Sequence, residues 1–530
     1  MQKTKVLIIG AGPTGLMAAC QLSRHGVEFM IIDKKEGPTR ESRALVLHAR
    51  TLEIYDQMGI ANDALVVGNI VQKVQIIVES KKVQMLKLNK LGEGLSPFPF
   101  LLVLEQSKNE ELLYQFLLKQ GVDVLWNHEM VSIVQEEDKV VVVVRNGDET
   151  IDIEPDYVIA ADGSKSDVRE SMEIPFLGGT YENIFFVADT ALQTDWDHEA
   201  LTVYLSKQTF LGLFPMQGNN RFRIIGILPQ EYQNENPESF EEITPFIKKQ
   251  VTAKIKFSDT AWFSIYRLHH RWIENFRDRR IFFAGDAAHI HSPAGVQGMN
   301  TGIQDAYNLV WKLAFTINGN GSNKLLDTYN LERLPFARQL VQSTDRAFDM
   351  ATSGKWYHKI FRLQIVPLLL PFLFKFKKYR LRGFRTVSQI GIKYISSELT
   401  VNRVVQVLKI KAGDRFPYLT TQDGNNVYDL MREPVFHAVV ICLGGENKLI
   451  EEIMELEREL PGVLKVVDLC KEKKMIQKLK IKKDTVILVR PDHYIGLITD
   501  EGARVVGDYL IKLQEPEKKK EGITLPKVHE

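Results

Sequence analysis

The sequence predicts an α/β protein built on a nucleotide-binding sheet of Rossmann type, which a mixed β-sheet interrupts and a further α/β unit follows. Three observations support this prediction. The apolar strand at 5–9 runs into a glycine-rich turn and then into helical spacing at 16–25. Two later apolar stretches, which end at Asp162 and Asp286, look like further buried strands. Residues 181–266 instead alternate like the strands of a mixed sheet.

The composition is that of a globular protein with more than one core. The chain has 530 residues, of which 44% are hydrophobic and 25% charged, and this length predicts roughly three domains. A net charge of +1 provides no field that would recruit nucleic acid. Cys20, Cys442 and Cys470 lack CxxC spacing, which argues against a disulfide scaffold or a zinc site and favours a reducing cytoplasm.

Two apolar stretches resemble membrane-directed segments. The N-terminus combines Lys3 and Lys5 with an apolar run, but glycines at nucleotide-loop spacing break that run, so we expect no export signal. Residues 365–374 are apolar and precede a basic cluster, yet the run is too short to span a bilayer and contains two prolines. We expect a buried or interface segment there, and contact of 365–382 with a membrane surface is the alternative.

The turn Gly10-Ala11-Gly12-Pro13-Thr14-Gly15 predicts a dinucleotide site. The first glycine would make the tight turn, the second would let the main chain approach a pyrophosphate, and the third would allow close helix packing. The next strand, 27–33, ends in Asp33, where a carboxylate can accept hydrogen bonds from a ribose. The pattern does not separate FAD from NAD, and a glycine-rich turn in a plain βαβ unit is the alternative.

The middle of the chain has a β-like texture and a second acid at a strand end. Asp162 follows the strand 156–161, and Arg169 comes seven residues later; the pair predicts another part of the nucleotide site, or only a helix N-cap with a salt bridge. In the mixed sheet, one face would line a cavity that tolerates aromatic molecules, unless its residues are plain core. That face carries Phe210, Leu213, Phe222, Trp262 and Tyr266.

A central motif returns the chain to the nucleotide sheet. An apolar strand stops at Gly285-Asp286, a Pro/Gly loop follows over 292–297, and a helix begins at about Thr301. A strand-end carboxylate beside a helix N-terminus suits a ligand with an electron-rich ring or an anion. If that ligand is a flavin, Asp286 can bind its ribityl chain, and N–H groups near 298–300 can stabilise charge on its ring. An ordinary strand-loop-helix crossover is the alternative.

These three motifs, in this order, resemble the single-component, class A flavoprotein monooxygenases of the aromatic hydroxylase type, especially phenol hydroxylase-like and polyketide hydroxylase-like members. The resemblance covers roughly residues 3–345. It implies FAD as the cofactor and places Asp33 at the adenosine ribose, Arg43 near the flavin or pyrophosphate, and Asp286 at the ribityl chain. The full set of cofactor-binding positions that it implies is Gly10, Gly12, Pro13, Thr14, Gly15, Asp33, Arg43, Gln106, Met130, Asp162, Arg169, Gly285, Asp286, Pro293, Gly298, Met299 and Asn300.

The sequence departs from the family pattern at two positions. Val296 stands where the family usually has Gly in a loop next to the flavin, and Leu45 stands where phenol-type members carry an Asp that helps to ionise the substrate. The substrate base is therefore not identified. The candidates for it are His48, His289, Tyr266 and Arg267, and the candidate catalytic positions are Arg43, Tyr266 and Val296.

The C-terminal part resembles the thioredoxin-like domain of larger family members. The stretches 412–417 and 486–497 carry this resemblance, but Cys442-Leu443-Gly444-Gly445 lacks a second cysteine, so we expect no disulfide chemistry. The predicted organisation is an FAD-binding domain at 1–180 with inserted strands at about 66–105, a substrate-binding β-sheet at 181–268, the rest of the FAD-binding domain at 269–345, a helical connection at 346–410 and the thioredoxin-like domain at 411–530.

The resemblance implies a reaction. NADPH or NADH would reduce FAD, and O2 would form a flavin C4a-hydroperoxide that hydroxylates a small aromatic or polyketide-like substrate. Because only one glycine fingerprint is present, NAD(P)H would bind transiently. We expect no metal, no nucleic acid, and a cytoplasmic monomer or homodimer. The alternatives are an FAD-dependent epoxidase or dehydrogenase that acts on an isoprenoid or lipid, and a non-catalytic FAD-binding protein.

Overall fold

The computed structural model describes residues 1–39, 44–79, 81–206, 210–228, 232, 237–251, 254–292, 296–352, 355–444 and 448–515. Arg43 and Pro293, two of the predicted site residues, lie outside this part of the chain. Within it, no helix is both long and apolar enough to cross a membrane.

Strands and helices alternate along most of the chain. The strands are β1 (Gln2–Ile9), β2 (Phe29–Asp33), β3 (Val46–Leu47), β4 (Asn69–Val71), β5 (Lys73–Val78), β6 (Lys81–Lys87), β7 (Leu101–Val103), β8 (Leu125–Trp126), β9 (Glu129–Gln135), β10 (Val140–Asn146), β11 (Glu149–Ala160), β12 (Leu177–Thr194), β13 (Ala200–Leu205), β14 (Phe210–Pro215), β15 (Arg221–Ile227), β16 (Ile255–Trp272), β17 (Arg277–Asp278), β18 (Ile281–Phe283), β19 (His289–Ile290), β20 (Val401–Arg403), β21 (Phe436–Ile441), β22 (Leu464–Asp468), β23 (Thr485–Val489) and β24 (Ile495–Thr499). The α-helices are α1 (Pro13–Arg24), α2 (Ala49–Met58), α3 (Ala61–Val67), α4 (Leu88–Gly92), α5 (Gln106–Lys119), α6 (Asp167–Ser171), α7 (Phe240–Gln250), α8 (Gly298–Ile317), α9 (Asn323–Thr352), α10 (Trp356–Ile360), α11 (Val366–Leu373), α12 (Lys377–Val387), α13 (Lys448–Glu459), α14 (Lys473–Leu479) and α15 (Ala503–Lys512).

The first sheet brings three distant segments to one edge. Its strand order is β17-β18-β11-β1-β2-β8, and β18, β11, β1, β2 and β8 are mutually parallel. Since neighbouring parallel strands end at the same edge, the turns after β1, β11 and β18 lie side by side. This arrangement confirms the predicted interrupted α/β fold.

The second sheet is mixed. Its order is β19-β16-β12-β15-β14-β13-β5-β6, with β13 and β5 parallel and the other pairs antiparallel. Helix α7 packs on one face, in a cluster with Leu213 and Phe222. The prediction that these two residues share a cavity face with Phe210 was wrong, because side chains alternate along a strand and the opposite face of β14 carries Phe210 and Phe214.

Two predicted boundaries were also wrong. The strand predicted at 156–161 is the C-terminal part of the longer strand β11, which begins at Glu149 because its N-terminal half pairs with β10 and its C-terminal half with β1 and β18. Helix α8 begins at Gly298 rather than at about Thr301.

Helix α11 contacts β6 at the edge of the second sheet and departs from the expected burial. Helix α11 contains no buried residue, and Leu368 is 78% exposed. A π-helical turn, Phe361–Ile365, joins α10 to α11.

The C-terminal residues form a separate five-stranded sheet of order β20-β24-β23-β21-β22. Its chain order from β21 is β-α-β-α-β-β-α. Cys442 and Cys470 are neighbours here although they are far apart in sequence: the Cys442 N–H donates to Cys470 Sγ at 3.0 Å, and both cysteines are free.

Buried charges join this C-terminal sheet to the first sheet. The Arg50 guanidinium donates to the Asp492 carbonyl oxygen at 2.7 Å, and Arg415 lies 3.1 Å from both carboxylate oxygens of Glu53. Glu332 on α9 accepts two hydrogen bonds from Arg490, at 2.6 and 2.9 Å, so the two units share one buried ionic network.

Candidate active site

The glycine turn has the geometry that the sequence predicts. Gly10 has φ +104°, and a Cβ there would lie 2.4 Å from the Ala161 carbonyl oxygen, while a Cβ on Gly15 would lie 1.8 Å from the Gly10 carbonyl oxygen. Gly12 differs, since it has ordinary φ −78° and a Cβ there would meet no atom within 4 Å. The main chain at Gly12 therefore faces open space at the N-terminus of α1, which fits the pyrophosphate of a dinucleotide.

Asp33 ties the end of β2 to this turn. Its Oδ2 accepts the Ala11 N–H at 2.6 Å and its Oδ1 accepts the Lys35 N–H at 2.9 Å, with 8% of the residue exposed. A carboxylate has about four acceptor positions, so these contacts leave capacity for ribose hydroxyls.

Thr14 lies where the glycine turn meets the central motif. A Cβ on Gly285 would lie 2.5 Å from Thr14 Oγ1, and a Cβ on Gly302 would lie 2.3 Å from the same oxygen. The turn Gly285–Ala287, helix α8 and helix α1 therefore pack too closely for a side chain on either glycine. Asp286 is exposed on this turn, at the sheet edge that also carries Gly12.

Asp162 and Arg169 lie close together but have separate partners. Asp162 Oδ2 accepts the Val168 N–H at 3.1 Å, whereas its buried Oδ1 has no hydrogen-bond partner among the described residues. Burial raises the pKa of Asp162. Hydrogen bonds from Ser166 and Val168 act in the opposite direction and offset part of this rise. A buried oxygen of this kind fits a ligand hydroxyl.

The Arg169 side chain binds groups of the protein itself. It donates to the Ser164 carbonyl oxygen at 2.9 Å and to the Ala287 carbonyl oxygen at 3.2 Å, and its guanidinium carbon lies 4.0 Å from the Phe176 ring centre. Ser166, rather than Asp162, caps α6. Arg169 thus links the turn after β11 to the turn after β18.

Gln106 and Met130 are both in contact with protein groups near the sheet edge. The Gln106 side chain accepts the Ala44 N–H at 3.3 Å and donates to Glu110 at 2.8 Å. Met130 is 6% exposed within β9, so its main chain is the part that remains for an adenine contact.

The N-terminus of α8 provides N–H groups that have no intrahelical partner. The first intrahelical bond runs from the Thr301 N–H to the Gln297 carbonyl oxygen at 2.9 Å, so the N–H groups of Gly298, Met299 and Asn300 precede it. The Asn300 side chain is fully buried and accepts from the His48 N–H at 2.9 Å and from Thr51 Oγ1 at 2.7 Å. Only the main chain of Asn300 is therefore suited to a flavin ring.

Val296 has φ +55°, in the left-handed region that disfavours a β-branched residue. Its carbonyl oxygen accepts from His48 Nε2 at 3.1 Å and from Asn300 Nδ2 at 3.3 Å. The chain keeps the backbone conformation of a glycine at the position where a glycine was expected, and hydrogen bonds hold it there.

An apolar cavity of about 420 Å³ opens beside Val296 and His48. Strands of the second sheet form one wall with residues such as Leu201 and Phe214, and Phe374 and Phe384 close the other side. Only His48 and Ser388 among its lining residues have polar side chains. Tyr266 packs in the neighbouring apolar cluster that also contains Val296.

Two of the proposed base candidates do not face this cavity. His289 Nε2 contacts Asp305 Oδ2 at 2.7 Å and is 2% exposed, and Arg267 is exposed on β16. Burial alone would raise the pKa of Asp305, but Arg333 and His289 outweigh it and hold that pKa below its ordinary value. Asp305 also accepts the Gly285 N–H at 3.1 Å, so it supports the central turn. This role was not predicted, although Asp305 is the one carboxylate in the otherwise largely apolar sequence of α8.

Comparisons with known proteins agree with this geometry. The family described as FAD binding domain matches residues 3–344. The chain is 30% identical to a flavin-dependent monooxygenase of Mycobacteroides abscessus over 525 residues, covering 96% of this chain and 99% of that protein. It is 33% identical to a rifampicin monooxygenase of Streptomyces venezuelae over 470 residues, covering 87% of this chain and 93% of the relative. The solved structure of the anhydrotetracycline hydroxylase OxyS from Streptomyces rimosus superposes with a TM-score of 0.77 at 25% identity, covering 97% and 100% of the two chains.

The chain belongs to the FAD-binding-domain family. The predicted resemblance, the interrupted α/β fold and the FAD cofactor are confirmed by these comparisons. The predicted enzyme class, a flavoprotein monooxygenase, is confirmed with them.

Proposed function

We propose that the protein hydroxylates an apolar aromatic or polyketide-like molecule held in the cavity beside Val296, with FAD, NAD(P)H and O2. The observation that carries this proposal is the position of a cavity of about 420 Å³ directly next to the N-terminus of α8. Among the described residues its lining offers no carboxylate and no Lys or Arg, so a neutral, largely apolar substrate matches it best.

The FAD would lie along the edge where β1, β2, β11 and β18 end. Asp33 would bind the adenosine ribose, Gly12 would face the pyrophosphate, and Asp286 would bind the ribityl chain. Met130 would contact the adenine side through its main chain, Asp162 Oδ1 would accept from a cofactor hydroxyl, and Gln106 would fix the loop at Ala44. Arg43 and Pro293 keep their predicted places near the cofactor as proposals from the family resemblance.

When bound, FAD supplies the redox chemistry, namely hydride acceptance from NAD(P)H and activation of O2. The N–H groups of Gly298, Met299 and Asn300 would stabilise negative charge on the pyrimidine side of its ring. His48 would offer the one basic ring in the cavity, held by its contact with the Val296 carbonyl oxygen. The apolar walls would exclude water from the reacting atoms.

A second candidate is an FAD-dependent epoxidase or dehydrogenase that acts on an isoprenoid or lipid. The lining, which is aliphatic and aromatic apart from His48 and Ser388, favours such a substrate as much as a polyketide. Mass spectrometry of products from a panel of phenols, polyketides and isoprenoids separates the two: addition of one oxygen to an aromatic ring supports the hydroxylase, and an epoxide or an alkene supports the alternative.

We also propose the remaining organisation of the protein. The five segments predicted from the sequence would be its domains, and the order of strands and helices from β21 to α15 supports the thioredoxin-like assignment of 411–530. The protein would work in the cytoplasm as a monomer or homodimer.

The FAD site is tested by Gly12→Val. Gly12 has ordinary φ and open space around its Cβ position, so the variant folds, but the valine occupies the place of the pyrophosphate. We expect purified G12V to be colourless and unable to oxidise NAD(P)H, with an unchanged circular dichroism spectrum. Gly444→Val, at another position with open space, is the control and stays yellow. A yellow, active G12V would exclude the proposed cofactor position.

A further inference from the structure

One segment of the molecule concentrates positive charge. Residues 355–393, called here the roof segment, contain ten Lys and Arg residues and no Asp or Glu, while the whole chain has a net charge of only +1. The side chains of Lys375, Lys377 and Lys378 are all exposed. The roof segment is therefore a cationic surface on a protein whose other residues together carry a net negative charge.

The same segment exposes large apolar side chains. Leu368 is 78% exposed, Trp356 73% and Phe372 54%. The rings of Phe372, Phe376 and Tyr379 form a continuous row, with centroids 5.3 and 6.2 Å apart. These rings stand directly beside the exposed lysines in the chain, so apolar and cationic groups share one surface.

The roof segment also closes the substrate cavity. Phe374, between the outward-facing Phe372 and Phe376, lines the cavity together with Phe384 and Val387. The same short stretch of chain thus contributes to the cavity wall and to the exposed apolar surface.

The positive charge of this surface distinguishes between two possible binding partners, a second copy of the chain and an anionic bilayer. A second copy of the chain, paired through the same face, would bring two cationic segments together, which is unfavourable. An anionic bilayer complements the charge and accepts the apolar side chains, as helices with Lys/Arg beside Trp, Phe and Leu do when they lie in the interface plane.

We propose that the roof segment docks on the surface of an anionic lipid bilayer and that the apolar substrate enters the cavity from that bilayer past Phe374 and Phe384. The substrate route rests on the proposed function, whereas the docking does not. Helix α11 would lie in the interface plane with Leu368 and Phe372 among the acyl chains, and the lysines would contact lipid phosphates.

The test is flotation of the FAD-loaded full-length protein with vesicles of phosphatidylcholine alone or with about one third phosphatidylglycerol. We expect binding to the anionic vesicles, weakened by high salt. The triple variant K375Q/K377Q/K378Q should bind at least about tenfold more weakly, since each basic residue near an anionic surface adds to the attraction. The control K471Q/K473Q/K474Q removes three exposed charges from the C-terminal unit and should bind like the wild type.

The apolar contribution has its own variant pair. L368S/F372S should also reduce binding, whereas V405S/V407S, at residues 88% and 86% exposed elsewhere, should not. FAD content and NAD(P)H oxidation with a water-soluble phenol, measured in every variant, report on folding and on the proposed function independently of lipid.

Three outcomes overturn the docking proposal: no binding to anionic vesicles, equal binding to neutral vesicles, or equal losses in the control variants. Dimerisation in sedimentation analysis that L368S/F372S abolishes, without vesicle binding, assigns the surface to a second copy instead. If docking holds but vesicle-dissolved substrates turn over no faster than soluble ones, the substrate route is wrong.

Discussion

His48 Nε2 lies 3.1 Å from the carbonyl oxygen of Val296, and because a carbonyl oxygen only accepts, Nε2 carries the proton in this contact. The contact joins the start of α2 to the loop before α8, and both residues line the apolar cavity. It fixes the one basic ring in the described part of the cavity lining, at the end where the flavin ring is proposed to lie.

His48→Ala should therefore bind FAD normally and lose substrate-stimulated turnover. We expect kcat for product to fall by about 100-fold, within the usual range for loss of an acid or base group, while basal NAD(P)H oxidation changes little. Product yield per NAD(P)H oxidised is the measurement. His198→Ala, in the loop between β12 and β13 and outside the described cavity lining, is the control. Wild-type product yield in H48A would exclude His48 from the chemistry.

At position 296 we expect a glycine variant to be more stable than an alanine variant, which reverses the usual order of stability. At ordinary φ, glycine is less stable than alanine by about 0.5–1 kcal/mol, but the left-handed region costs a residue with a Cβ about 1–2 kcal/mol. V296G should therefore be more stable than V296A by about 1 kcal/mol in urea unfolding. An alanine variant that is the more stable of the two would contradict the φ of +55° found here.

Glu332 should be essential for stability. Its carboxylate accepts from Arg490 at 2.6 Å and from Lys312 at 2.8 Å, and all three side chains are buried. Burial opposes its ionisation, yet Arg490 and Lys312 hold the pKa of Glu332 far below its usual range. Glu332→Gln leaves buried cations without their counter-charge, so we expect a loss of about 3–5 kcal/mol in the free energy of unfolding.

The matched control for this prediction is Glu154→Gln. Glu154 pairs at 2.8 Å with Lys3, whose side chain is 76% exposed, and exposed pairs contribute no more than about 1 kcal/mol. Equal losses in E332Q and E154Q would show that the buried network has no special role.

Acid should destabilise the protein below about pH 6.5 through its buried histidines. Burial lowers the pKa of His437 to about 4, with Glu433 opposing, and that of His25 to about 3. A depressed histidine pKa contributes stability above the unfolded value, about 6.5, and this contribution is lost at about 1.4 kcal/mol per pH unit as the pH falls towards the folded value.

His437→Leu should remove one such contribution. Neither ring nitrogen of His437 has a hydrogen-bond partner among the described residues. Replacement by leucine therefore breaks no described hydrogen bond at neutral pH. Relative to the wild type, the variant should gain about 2 kcal/mol between pH 7.5 and pH 5, as read from urea midpoints at both values. The same pH dependence in H437L and in the wild type would mean that His437 does not titrate in this range.

The sequence predicted most of what local chemistry determines. The glycine turn, Asp33 and the strand-end motifs were assigned from spacing, because nucleotide-binding main chain requires glycine at fixed positions. The cavity lining was predicted poorly: Leu213 and Phe222 pack under α7, since the face of a strand depends on its register in the sheet. His48 was one of four base candidates, and only the fold separates it from His289, which binds Asp305.

Contacts between distant segments could not be predicted from the sequence. The proximity of Cys442 to Cys470 and the partners of Arg169 depend on how separate elements pack, which residue spacing does not encode. The exposure of Leu368 was not predicted, because an apolar run was expected to be buried or to lie in an interface.

The ionic network between α2, α9 and the C-terminal sheet sets a minimum length for a viable chain. A protein that stopped at residue 344, where the matched family region ends, would keep Arg50, Glu53 and Glu332 but lose Arg415, Arg490 and Asp492. Arg50 and Glu53 would remain as one ion pair and Lys312 and Glu332 as another, but the two carboxylates would lose the hydrogen bonds from Arg415 and Arg490. We therefore expect the cofactor-binding half to depend on its C-terminal unit for stability.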